Sequence, residues 1–121
     1  MVLFGAGMGR FTPEGVILDA AYEPARRALS AAQATVFSLD VTDADRHSLE
    51  VGLQQVASDT GGFYARTHEF PAIALAQLEG ALEGRYVLAF PRPDGRRGAH
   101  DVRVDLPGRK GSVVSRTTYV D

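Results

Sequence analysis

The sequence predicts an α/β fold: a three-layer sandwich fragment built on parallel strands, followed by an antiparallel β extension. Three observations carry this. Residues 34–41, Ala-Thr-Val-Phe-Ser-Leu-Asp-Val, are a short run rich in β-branched and aromatic residues with a helical pattern on either side. That arrangement reads as a buried parallel strand between two crossover helices. Val2-Leu3-Phe4 and Phe63-Tyr64-Ala65 are two further short apolar runs, spaced from it by those helical stretches. Beyond Gly84 the pattern changes to alternation broken by Pro-Gly turns, which reads as antiparallel. The expected division is therefore a truncated α/β unit over 1–84 and an antiparallel β extension over 85–121, packed on the same domain.

At 121 residues the chain is sized for one core and one domain. The apolar share of 45% and charged share of 23% are those of an ordinary soluble globular protein. There is no cysteine, which excludes a disulfide framework and a thiolate metal site. No apolar run approaches the roughly 18–20 residues of a membrane span, and Met-Val-Leu-Phe-Gly is too short and uncharged for a secretory signal. No membrane association is expected, and the compartment stays open. The net charge of −2 is unevenly spread. Eight basic residues fall after Gly84 (Arg85, Arg92, Arg96, Arg97, Arg103, Arg109, Lys110, Arg116), against four acidic ones. Few aromatics interleave with them, so a nucleic-acid partner is not expected.

Taken in order, Val2-Leu3-Phe4 is a strand running into the glycine-rich turn Gly5-Ala6-Gly7-Met8-Gly9-Arg10. A dinucleotide fingerprint needs a third glycine where Arg10 stands and a helix directly after it. Phe11 to Gly15 reads as a turn, so a flexible loop is expected, followed by an irregular or short extended stretch over 16–22. Pro24 suits the first turn of a helix whose Ala25, Ala28, Leu29 and Ala32 form an inner stripe. The strand at 34–41 follows, ending in Asp40 and the polar loop Thr42-Asp43-Ala44-Asp45-Arg46-His47. Ser48 is expected as the N-cap of the next helix, with Glu50 in its first turn and Gly61-Gly62 at its end. Leu49, Leu53, Val56 and Ala57 form its apolar stripe. After the strand at 63–65, Pro71 opens a helix that turns Ala74, Leu75, Leu78, Ala81 and Leu82 inward and closes at Gly84. Strands are then expected over 86–90, 100–106 and 113–120, with turns at Pro93-Asp94-Gly95 and Pro107-Gly108. Phe37, Phe63, Tyr64 and Phe90 read as core.

In an open α/β sheet, binding chemistry lies at the carboxyl ends of the strands. That places the candidate surface on the loops Gly5–Arg10 and Asp40–His47, with Gly5, Ala6, Gly7, Arg10, Asp40, Asp43, Asp45 and His47 as candidate binding residues. Asp40, Asp43, Asp45 and His47 are the densest set of hard ligands, and Asp43-x-Asp45 with His47 has oxygens and an imidazole to offer a divalent ion. The set lacks the glycine and distal glutamate of a calcium loop. Acidic side chains before a helix also serve as caps and dipole partners, and that plainer role is the one expected, with no metal and no cofactor. Catalysis finds little support. His47, His68 and His100 lie in separate segments without a nucleophile at a recognisable spacing, and no Gly-x-Ser-x-Gly occurs. Asp43 and Asp45 are a carboxylate pair of a kind common in loops. His68, before Phe70-Pro71, reads as a helix-entry residue.

The segments at 2–7, 34–41 and 53–64 (Leu-Gln-Gln-Val-Ala-Ser-Asp-Thr-Gly-Gly-Phe-Tyr), with Arg-Tyr-Val-Leu-Ala-Phe at 85–90, resemble the C-terminal half of a von Willebrand factor type A-like domain. The match is to a bacterial branch that carries a β-rich extension. The resemblance implies half of a doubly wound, Rossmann-like sheet and a role in protein binding. That family holds a divalent metal through Asp-x-Ser-x-Ser, a threonine and an aspartate after its fourth strand. Nothing here reads Asp-x-Ser-x-Ser, and the family's Asp-Gly pair falls on Ala6-Gly7. Family members are often exported.

On this resemblance the first strands of the sheet are absent, and Val2-Leu3-Phe4 becomes an edge that calls for a cover. A second copy, joined by an isologous contact into a homodimer, is the first expectation, with a separate protein partner as the other. The function expected is thus a non-enzymatic protein-interaction module. The alternative is a small α/β enzyme, a hydrolase or nucleotide-binding protein, using the same two loops.

Overall fold

The structure, a computed structural model, describes residues 1–43, 47–68, 70–91, 94–95, 97–111 and 113–120. In chain order its elements are β1 (Val2–Gly5), β2 (Arg10–Thr12), β3 (Gly15–Ile17), α1 (Tyr22–Ala31), β4 (Phe37–Asp40), α2 (Glu50–Thr60), β5 (Tyr64–Arg66), α3 (Pro71–Glu83), β6 (Ala99–Asp101) and β7 (Thr118–Val120). The fold is mixed α/β. One three-stranded sheet, in the order β1-β4-β5, is parallel throughout, and the pairs β2-β3 and β6-β7 are antiparallel.

The middle strand explains the arrangement. Every residue of β4 is buried, and each of its edges is paired, Val2↔Phe37 to Gly5↔Asp40 on one side and Ser38↔Tyr64 to Asp40↔Arg66 on the other. Strand alternation sends Phe37 and Leu39 to one face. There they cluster with Phe63 and Ala74 of α3, and Val2, Ala65, Leu78 and Ala81 pack at the rim. The rings of Phe37 and Phe63 meet at a centroid distance of 5.1 Å. Gly5 belongs to the other face, where Leu53 of α2 lies so close that a Cβ on Gly5 would sit 3.2 Å from it. Leu53, Val56 and Ala57 are the buried stripe of α2. Apolar residues at a spacing of three and four therefore made this helix, and they bury it against the sheet.

Helix ends follow local chemistry. Gly61 ends α2 in the left-handed region at φ 71°, with its N–H turned back on the last helical carbonyls. A side chain there would run into the backbone of Ser115 and Arg116, because the C-terminal segment crosses over this turn. Arg116 fixes that crossing by donating to the carbonyls of Ser30 (3.3 Å) and Ala34 (3.1 Å), at the end of α1. Pro71 occupies the first turn of α3.

Several elements differ from expectation. The Phe11–Gly15 turn is the tip of a small hairpin, with Arg10↔Ile17 and Thr12↔Gly15 paired. Ser48 does not cap α2: the helix starts at Glu50 after a turn, and among the described residues no side chain caps it. Tyr86 to Phe90 forms no strand. Apolar content alone cannot make one, and this run is largely exposed with no neighbouring strand among the described residues. The long alternations expected after it shrink to the two three-residue strands β6 and β7. No residue of α1 is buried, so its alanine stripe packs only loosely. Leu75 and Leu82 of α3 are exposed, as is Phe90, whose ring instead meets Tyr119 edge-on.

Candidate functional site

Because the sheet is parallel and in register, Gly5, Asp40 and Arg66 end their strands side by side. Val41 donates to the Gly5 carbonyl (3.0 Å), and Thr67 donates to the Asp40 carbonyl through both its N–H (2.9 Å) and its hydroxyl (2.7 Å). The Gly5–Arg10 loop leans on the turn that precedes α2, with the Met8 N–H on the Leu49 carbonyl. Gly7, at φ 119°, permits this contact: a Cβ would lie 2.6 Å from Leu49 Cβ and 3.2 Å from His47 Cε1. The two candidate loops therefore touch.

Asp40 is the centre of the site. Its side chain is wholly buried, yet both carboxylate oxygens are satisfied. Oδ1 accepts from the Thr42 N–H (3.0 Å) and hydroxyl (2.8 Å). Oδ2 accepts from the Tyr64 hydroxyl (2.7 Å) and faces His47 Nε2 at 2.7 Å. Burial by itself raises a carboxyl pKa, but the hydrogen bonds from Tyr64, Thr42 and His47 outweigh it and bring Asp40 down to about 2. The Tyr64 phenol is pushed above its ordinary range, first by burial and then by its bond to the Asp40 carboxylate.

A second carboxylate stands beside it. Glu50, in the first turn of α2, is gripped by Arg66 through Nε (3.1 Å) and Nη2 (2.8 Å). Tyr64 Oη also lies 3.3 Å from this carboxylate, so one hydroxyl reaches both acids. Burial works to raise the Glu50 pKa, and the Arg66 guanidinium overcomes it, leaving the group below the usual range. One donor atom from each of Asp40, His47 and Glu50 lies within 4.8 Å of the other two.

The sequence-derived candidates divide accordingly. Asp40 and His47 meet, with Gly5 and Gly7 beside them. Ala6 is exposed and has no donor atom to offer. Arg10 belongs to β2 and pairs with Ile17. Asp43 is fully exposed, 3.8 Å from His68 Nδ1. Asp45 lies outside the described residues. The expected ligand trio of Asp43, Asp45 and His47 is thus replaced, among the described residues, by Asp40, His47 and Glu50. The carboxylate ligand implied by the family resemblance is missing at Ala6-Gly7, where neither side chain supplies a ligand atom. Glu50, Tyr64 and Arg66 were not candidates in the sequence. The signal for Tyr64 and Arg66 was the Tyr64-x-Arg66 spacing, which sends both to one face of a strand; Glu50 showed only as an acid in the first turn of α2.

No protein-family model matches the sequence, and no curated relative does. A similar solved structure is the crystal structure of an uncharacterized membrane-spanning protein from Vibrio fischeri. It aligns at 17% identity with a TM-score of 0.44, over 69% of this chain and 45% of that one, so this chain spans under half of that protein's length. A likeness at that level carries no argument. Among the described residues, no helix is long and apolar enough to cross a membrane.

Proposed function

We propose that this chain is a non-enzymatic protein-interaction module, resembling half of a von Willebrand factor type A-like domain, that docks a partner along the outer edge of β1. The observation that carries the reading is the state of that edge. β1 pairs only with β4 among the described residues, and Phe4 is 61% exposed on the face where Val2 packs into the core cluster. Edge strands in stable monomers are blunted by charge, proline or a bulge. Val-Leu-Phe-Gly contains none of these. Parallel sheets are ordinarily covered on both faces, and α3 leaves Phe4 bare. An added strand with an apolar side chain beside Phe4 supplies both the missing hydrogen bonds and the missing cover. In this reading the chain is one half of a doubly wound three-layer sandwich, which α2 and α3 on opposite faces of the parallel strands support.

The occupant chosen is a second copy, since a two-fold axis lets one β1 pair with the other. Size-exclusion chromatography with light scattering, run over a range of loading concentrations, tests it. The expected mass is twice the 13.0 kDa chain, falling to the monomer in Phe4→Lys with the circular dichroism unchanged. A monomer at every concentration, or a Phe4→Lys variant that still dimerises, overturns the proposal.

A further inference from the structure

We infer that Asp40, His47 and Glu50 form a three-ligand site for a borderline divalent cation of the Zn²⁺ class, independent of the β1 edge. The chemistry of the donors selects the ion. One imidazole nitrogen with two carboxylate oxygens suits zinc, whose open sites take three protein ligands and one solvent molecule. A hard ion such as Ca²⁺ takes six to eight oxygens, more than these side chains supply.

Geometry agrees. Metal–ligand bonds of about 2.0–2.1 Å at tetrahedral angles place donor atoms about 3.3–3.4 Å apart. Asp40 Oδ2 and His47 Nε2 are 2.7 Å apart, and all three donors lie within 4.8 Å of one another. An ion therefore needs the donors to shift relative to one another by about 0.5–1.5 Å.

The surroundings are those of a supported site. Thr42 holds Asp40 Oδ1 twice, which leaves Oδ2 as the oxygen turned to the other ligands. Tyr64 Oη reaches both carboxylates, an outer contact that fixes their orientation. None of the ligands is freely exposed: the side chains of Asp40, His47 and Glu50 are 0%, 19% and 15% accessible.

Charge supplies the driving force. Among the described residues, with a neutral His47, two carboxylates face one guanidinium, that of Arg66 on Glu50, and one negative charge is left beside an Asp40 side chain that is buried from solvent. On binding, the single ring hydrogen of neutral His47 moves from Nε2 to Nδ1, which frees the Nε2 lone pair for a cation seated between it and Asp40 Oδ2, and Glu50 gives up one of its contacts with Arg66.

Arg66 is thus the internal competitor of the ion, and this separates the site from adventitious binding to surface acids. Calorimetric titration of the chain with zinc chloride is expected to give one site of unit stoichiometry. His47→Ala and Glu50→Gln should each weaken it at least tenfold, and Arg66→Gln should tighten it. His68→Ala, a change at a histidine outside the trio, should leave it as it is. Ring-proton NMR of the unsubstituted protein gives a second readout that does not depend on any variant folding: Zn²⁺ should shift His47 before His68 or His100. Absence of a unit-stoichiometry site, loss of the site in His68→Ala, binding unchanged in His47→Ala, or His68 or His100 shifting first, each overturns the inference.

Discussion

Asp40→Asn tests the reading of the strand-end site most directly. The carboxylate receives two contacts on each oxygen, from Thr42 on one side and from Tyr64 and His47 on the other. An amide keeps one accepting oxygen and turns an NH₂ toward the other pair. Two donors lose their acceptor, and since they retain some access to water the cost is about 2–4 kcal/mol near neutral pH. The wild-type carboxyl has a pKa of about 2 in the fold against 3.8 without it. The folded state therefore holds that proton less tightly than the unfolded state. The resulting stabilisation is complete above pH 4–5 and is lost as pH falls toward 2. At about 1.4 kcal/mol per unit, nearly two units amount to about 2 kcal/mol. The variant has no carboxyl to protonate, so its deficit relative to wild type should shrink by about 2 kcal/mol between about pH 6 and pH 2. Glu23, also held below its ordinary value, is present in both proteins and cancels in the difference; Glu50 cancels to the extent that its Arg66 partner, which the substitution leaves in place, sets its ionisation. Urea unfolding followed by circular dichroism at a series of pH values measures this gap. A gap that stays constant down to pH 2 would refute the assignment of Asp40 as an ionised, internally satisfied carboxylate.

Other substitutions probe the frame around it. Gly61→Ala forces a side chain into left-handed backbone (φ 71°) and into the Ser115 carbonyl carbon 2.7 Å away; a loss of about 2–4 kcal/mol in denaturant midpoint experiments is expected. Arg116→Ala removes both donors to Ser30 and Ala34, leaving carbonyls at the end of α1 without their charged partner. It should cost about 1–3 kcal/mol and raise protease sensitivity of the C-terminal segment. In a spectrophotometric titration, two phenols, Tyr22 and Tyr64, should ionise well above the ordinary range, and Tyr64→Phe should remove one of them while leaving Tyr22 in place.

The legible part of this molecule is the part set by short-range pattern. The run 34–41 declares a buried strand by composition, which the fold realises over Phe37–Asp40 while Val41 is already exposed. Leu53, Val56 and Ala57 declare the buried face of α2 by spacing, because burial on a regular element leaves a period in the sequence. The end of α2 at Gly61 was equally legible, since only glycine takes that backbone conformation without strain. The site was legible only where chain proximity and spatial proximity coincide, as for Asp40 and His47. Tyr64 read as an apolar ring and Glu50 as a helix-dipole partner, and both readings are locally sound. What joins them to Asp40 is the register Ser38↔Tyr64 and Asp40↔Arg66, a property of the assembled sheet. Asp43 illustrates the reverse error. It sits three residues from Asp40, but the chain turns away after β4 and leaves it in solvent. Tyr86 to Phe90 failed because strand character requires a neighbour, and a run of suitable residues does not name one.

Hydrogen exchange can resolve the β1 edge residue by residue. In a parallel ladder, the N–H and C=O of one residue point to one neighbour and those of the next residue to the other. Phe37 donates to the Met1 carbonyl and Val41 to the Gly5 carbonyl, so Met1, Leu3 and Gly5 are the residues of this strand turned toward β4. Val2 and Phe4 are turned to the outer edge. In dilute protein, the Phe4 amide should exchange near the rate of an unstructured chain, while the Leu3 amide is slowed by its place against the wholly buried β4. Raising the concentration through the range where the mass doubles should slow Phe4 selectively, because only a newly paired strand reaches its N–H. Phe4→Lys should abolish that dependence without exposing Leu3. If the mass doubles while Phe4 continues to exchange freely, the two copies meet elsewhere and β1 is not the docking edge.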